Sequence, residues 1–158
     1  MDGPQAVFGL EKGMTGFRDR HDRPLPGTDL TVCRTSWYAA ARAARGGHVG
    51  DFWEREYPQN FHLATITDRD GRHFLQFHAH WPLVAFAADR RYQYSDAFRE
   101  PPDWSAVLAD AGFVVLSVAQ LHAPLAECDT SALSDAELRQ IRHWRPKTQG
   151  ALLFNAWD

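Results

Sequence analysis

FHLATITDRDGRHFLQFHAHWPLVAFAAD, residues 61–89, decides how this chain folds. Two runs rich in β-branched and aromatic residues, 61–68 and 73–81, flank Asp70-Gly71. Aspartate followed by glycine supplies the unusual backbone angles that a tight hairpin turn needs, so the two runs read as paired antiparallel strands. Side chains alternate across a strand, which puts Leu75, Phe77, Ala79 and Trp81 on one face and Phe74, Gln76, His78 and His80 on the other. The second set contains the polar residues and is expected to face solvent. A third run, PLVAFAAD, follows Pro82 and extends the hairpin to an antiparallel meander.

Toward the C-terminus, RRYQYSDAFREPP reads as a loop or a short edge strand. DWSAVLADAG then predicts a helix capped by Asp103 and stopped by Gly112. FVVLSVAQL is the most apolar β run of the chain and predicts a strand covered on both faces. Ser134 and Glu137 form a capping box, with Leu133 and Leu138 as its hydrophobic staple. That helix points Leu138, Ile141 and Trp144 inward and stops at Pro146. Beyond it, Gly150, Leu153, Phe154 and Trp157 fall at i, i+3, i+4 and i+7, one face of a helix too short to persist in water alone. The terminal segment is therefore expected to plug the core, with roughly 1.5–3 kcal/mol for each large side chain it buries.

Toward the N-terminus, alanine density and Gly46-Gly47 predict a helix over residues 36–45. Trp53 and Tyr57, four apart ahead of Pro58, predict a short helical turn. Residues 1–30 carry no periodicity and read as an irregular arm. The expected fold is thus α+β, a single domain over residues 1–158: an antiparallel meander, helices packed on one face, and a C-terminal helix docked on the core.

Composition narrows the function classes. The chain has 158 residues, 17 Lys and Arg against 20 Asp and Glu, and a net charge of −3. That balance argues against a dedicated nucleic-acid binder. The opening stretch is too polar for a signal peptide, and no apolar run is long enough to span a bilayer. Two widely spaced cysteines, Cys33 and Cys128, suit free thiols in a reducing cytoplasm rather than a disulfide framework.

Chemical motifs are sparse. His78 and His80 sit on one side of a strand and could share a metal, but the spacing selects no third ligand. A small metal-dependent enzyme built on that hairpin is one alternative. A small-ligand or nucleic-acid module using Arg90, Arg91, Tyr92 and Tyr94 is another. There is no GxSxG, GxGxxG, P-loop or HExxH pattern. No catalytic or cofactor-binding residue is expected, and no cofactor.

The terminal segment LSDAELRQIRHWRPKTQGALLFNAWD resembles the close of a group of small bacterial immunity proteins from polymorphic-toxin and Rhs-type loci. In that group a capped helix leads into Trp-x-Pro-x-Thr, here Trp144, Pro146 and Thr148. The chain then ends on Phe-Asn-x-Trp-Asp, here Phe154, Asn155, Trp157 and Asp158. Gln149-Gly150-Ala151 stands where a Gly-Glu pair is expected. The resemblance covers about the last 26 residues and implies a cytoplasmic protein whose partner is a cognate toxin domain. A mildly acidic inhibitor suits a basic toxin. The residues suggest where it docks: Trp53, Tyr57, Tyr92 and Tyr94 are aromatics not claimed by the core pattern, and Asp51, Glu54, Glu56 and Asp96 are acids beside them.

Overall fold

The computed structural model describes residues 9–89 and 97–157. Its strands are β1 (His48–Trp53), β2 (Phe61–Asp68), β3 (Gly71–His78), β4 (Leu83–Ala87), β5 (Phe98–Arg99) and β6 (Val114–Val115). Its helices are α1 (Leu30–Ala43), α2 (Ala106–Asp110), α3 (Val118–Leu121), α4 (Asp135–Trp144) and α5 (Gln149–Leu153). All six strands join one mixed, mostly antiparallel sheet in the order β1-β2-β3-β4-β5, with β6 pairing in parallel beside β5 on the outer side of β4.

The meander forms as the sequence predicts. β2 and β3 pair from Phe61 opposite His78 to Asp68 opposite Gly71, and Gly71 adopts φ 122°. β3 ends at His78 rather than at Trp81. The His78 ring is the reason: its Nδ1 accepts the backbone N–H groups of His80 and Trp81 and turns the chain.

Residues 48–53 are a strand, and the helical turn expected between Trp53 and Pro58 does not form: residues 54–56 are irregular chain. The outer edge of β2 needs partners for its backbone groups, and β1 supplies them. Its register shifts between Val49 and Phe52, where the Asp51 N–H reaches the Thr65 hydroxyl instead of a carbonyl. Gly50 passes so close to Thr65 that a Cβ would lie 2.1 Å from Oγ1.

Residues 113–121 also differ from expectation. Only Val114 and Val115 pair as a strand. Ser117 then caps α3, with Gln120 completing a capping box, so the apolar run breaks into strand and helix. Asp103 opens a 3-10 turn and is not an N-cap; the helix proper begins at Ala106 and stops before Gly112 at φ 102°.

The expected helical layer on one face is present, and a second layer covers the other. α1 starts earlier than predicted because the Asp29 carboxylate caps Thr31 N–H. It lays Cys33, Trp37, Ala40 and Ala41 over Ala64, Ile66, Leu75 and Phe77, joined by Leu108 and Phe113. On the opposite face, Phe61, Leu83 and Ala85 lie beneath Leu10, Met14, Leu121, Leu133 and the terminal Leu152, Leu153, Phe154 and Trp157.

The terminal plug is docked as predicted, though only its first half is helical. Thr148 caps α5, and Phe154 leaves the helix in extended backbone. Gly150 lies under Phe98, where a Cβ would be 2.5 Å from the ring. Trp144 breaks the inward stripe and is 44% exposed. α4 closes at Arg145 in left-handed backbone, φ 51°, and Trp144 instead donates its indole N–H to Gln140 on the helix surface.

Candidate functional site

The buried polar groups come first, because they show which side chains are committed to holding the chain together. His78 is fully buried, not solvent-facing as the strand alternation suggests. The second layer described above seals that face. Nδ1 accepts two backbone amides, and Nε2 donates to Met14 O at 2.7 Å. Both ring nitrogens are occupied, so His78 has no lone pair to offer a metal. Burial pushes its pKa down to about 3. His80 bonds Pro26 O through Nδ1 at 2.9 Å, and burial lowers its pKa as well. His62 accepts Arg55 N–H at 3.0 Å and is driven down to about 4, first by burial and then by Arg55. Among the described residues no group of three or more His, Cys, Asp or Glu side chains could hold a metal. Both cysteines are free thiols; burial raises Cys33 to about 11 and also raises Cys128.

The N-terminal arm, where described, is a strap fastened by carboxylate and amide groups. Glu137, fully buried, does more than complete its capping box. Its carboxylate accepts Ser134 N–H, Gly13 N–H, Thr15 N–H and the Thr15 hydroxyl. Asn60 and Asn155 form the second fastening. Asn60 Oδ1 accepts Asn155 N–H at 2.9 Å, and Asn60 N–H donates to Asn155 O at 3.0 Å. Each side-chain amide also donates to Thr15 O, both at 2.9 Å. Gly16 is needed there, since a Cβ would sit 2.7 Å from Asn60 Cβ. Three stretches distant in sequence meet at one carbonyl.

A third polar group sits at the hairpin tip. Asp68 accepts His73 Nε2–H and Trp104 Nε1–H, both at 2.9 Å, and Asp70 N–H. Burial pushes the Asp68 carboxyl up, and these hydrogen bonds outweigh it and hold the group below its usual range. With the His73 ring edge-on to Trp104 at 5.3 Å, the cluster ties the hairpin to the 3-10 turn.

The open feature is a groove of about 860 Å³ along the sheet edge, lined by residues 52–59 with Leu63 and Ala156. It contains four of the residues singled out from sequence: Trp53, Glu54, Glu56 and Tyr57. β1 places Trp53 beside Leu63, Phe74 and Ala87, and Tyr57 is 77% exposed at the rim. Asp51 lies just upstream, 3.7 Å from Arg72. Glu54 is 3.5 Å from Arg34, whose guanidinium lies 4.2 Å above the Phe52 ring. These exposed ion pairs are long and leave both acids accessible to a partner. Tyr92, Tyr94 and Asp96, the other half of the expected face, lie outside the described residues. Sequence reasoning missed Phe52 and Ala156, which line the groove from β1 and from the terminal segment, and Arg34 of α1, which contacts Glu54 and the Phe52 ring beside it.

No family model matches the chain, and neither a characterised protein nor a solved structure shows significant similarity to it. Among the described residues no helix is long and apolar enough to cross a membrane.

Proposed function

We propose that this protein is a cytoplasmic immunity protein that neutralises a cognate bacterial toxin domain by binding it, without catalysis. The observation that carries the reading is the groove at β1, where Trp53, Glu54 and Tyr57 stand together at the surface. Large aromatics ringed by charge are the usual composition of an interface hot spot. The resemblance of the terminal segment supports the same class. The commitment of both His78 nitrogens to backbone groups weighs against the alternative of a metal enzyme on the hairpin.

The test is to search the gene neighbourhood for a toxin gene and to titrate its toxin domain by calorimetry with wild type and with Trp53→Ala, Glu54→Ala and Tyr57→Ala. Trp53→Ala or Tyr57→Ala is expected to cost about 2 kcal/mol or more, roughly thirtyfold in Kd. Undiminished binding by all three folded variants refutes the assignment of this face.

A further inference from the structure

The end of α4 carries a surface of opposite character to the rest of the chain. From residue 138 to residue 157 the sequence has four Arg and Lys and no Asp or Glu, in a protein with 17 cationic against 20 acidic residues. Arg139 is paired with Asp19 at 2.7 Å. Arg142, Arg145 and Lys147 are exposed and make no ion pair among the described residues. The turn Leu125–Glu127 donates Leu125 N–H to Lys147 O, but its Glu127 forms no ion pair with Lys147. Among these cations stands Trp144, nearly half exposed, its indole N–H held by Gln140 at 2.9 Å and its ring edge-on to His143 at 5.1 Å.

Cations near a helix C-terminus offset the helix dipole, which accounts for Arg142 and His143. It does not account for Lys147, beyond the helix, or for the choice of residue at 145. Arg145 adopts φ 51°, left-handed backbone where glycine or asparagine is the low-energy choice. The neighbouring residues of this segment have structural tasks: Thr148 caps α5, while Phe154, Asn155 and Trp157 are buried. Arg145 closes α4 through its backbone alone, its side chain and the Trp144 ring stand at the surface, and a strained cation beside an exposed indole is an outlier of the kind that marks a functional surface.

We infer that Trp144, Arg142, Arg145 and Lys147 form a docking surface for an acidic polypeptide segment, separate from the β1 groove. Arginine forks recognise carboxylates bidentately, and the indole supplies apolar area for an aromatic or aliphatic neighbour. A nucleic acid fits less well. Single-strand binders present a row of stacking rings rather than one. The inference does not rest on the toxin reading and stands whether or not the groove binds.

The experiment is fluorescence anisotropy at low salt with the full chain and a labelled copolymer of glutamate and tyrosine. A lysine–tyrosine copolymer and an oligo-dT strand are run beside it. Wild type should bind the acidic copolymer saturably, and more tightly than either comparison probe. Trp144→Ala and the double variant Arg142→Glu, Lys147→Glu should each weaken it about tenfold or more. Arg145→Gly should also weaken binding while raising the melting temperature by about 2–4 °C, because it relieves the backbone. That opposition of affinity and stability is something a purely structural role would not produce. Absence of saturable binding, equal affinity in the variants, or tighter binding of oligo-dT overturns the inference.

Discussion

Replacing Asn155 by alanine tests the account of how the strap, the sheet and the terminal segment are joined. The side chain donates to Thr15 O at 2.9 Å and Leu152 O at 2.7 Å, and accepts Trp157 N–H at 3.2 Å. After truncation Thr15 O keeps the Asn60 amide, also at 2.9 Å. Leu152 O and Trp157 N–H lose the partner they have in this buried position. Each orphaned group costs about 1–3 kcal/mol, so the substitution should destabilise the protein by about 2–6 kcal/mol. For a chain of this size that is roughly 4–24 °C in Tm. The assay is urea unfolding followed by tryptophan fluorescence, with a thermal scan as a second measure. Trp144→Ala serves as the comparison, because its ring is at the surface and its loss should shift stability by no more than about 0.5 kcal/mol. An Asn155→Ala protein that melts within a degree or two of wild type would refute the clamp.

Three further outcomes are expected. Deleting residues 153–158 should abolish cooperative melting, and Trp157→Ala alone should cost about 3–5 kcal/mol in the same unfolding assay. Glu137→Ala should cost about 3 kcal/mol or more, since four donors lose one carboxylate; limited trypsin digestion should then cut the strap at Arg18 or Arg20 faster than in wild type. His78 and His62 have folded pKa values of about 3 and about 4, below the unfolded value near 6.5. The unfolded chain therefore binds more protons below pH 6.5, so stability is full above that pH and falls as the pH drops toward 4 and then 3. Urea unfolding between pH 7 and 4 should show a flatter decline in His78→Gln than in wild type, and identical slopes would discard the assignment.

What was legible in the sequence was local. The Asp70-Gly71 turn and the Ser134–Glu137 capping box each depend on a few adjacent residues, and both formed as read. Errors arose where one pattern had two physical meanings. Trp53 and Tyr57, four apart, match a helix turn, yet the open edge of β2 drew residues 48–53 into the sheet. The apolar run from Phe113 reads as a strand, although Ser117 and Gln120 already spelled a capping box inside it. Alternation in β3 suggested one wet face, because nothing local announces that a strap without periodicity will bond to His78 and help to bury it. The polar fastenings escaped for the same reason: Gly13 meets Glu137 across 124 residues and Thr15 meets Asn155 across 140. For the candidate groove, the sequence marked Trp53, Glu54, Glu56 and Tyr57 by their unexplained aromatic and acidic character. It could not mark Ala156, an unremarkable side chain brought there only by the clamp.

The Asn60–Asn155 pairing also sets a clock on synthesis. The two residues are 95 apart, and ribosomes add about 5–20 residues per second. For roughly 5–20 s after Asn60 has been added to the nascent chain, its partner does not yet exist. The meander can pair in that interval, since its contacts are local, and α1 can cover one side. The other side, with Phe61, Leu83 and Ala85, stays incompletely covered until residues 152–157 have emerged, because Leu10, Met14, Leu121 and Leu133 supply only part of its cover. In the cell this protein therefore passes through an obligatory sticky stage, and its yield should track the supply of holdase chaperones more closely than its final stability.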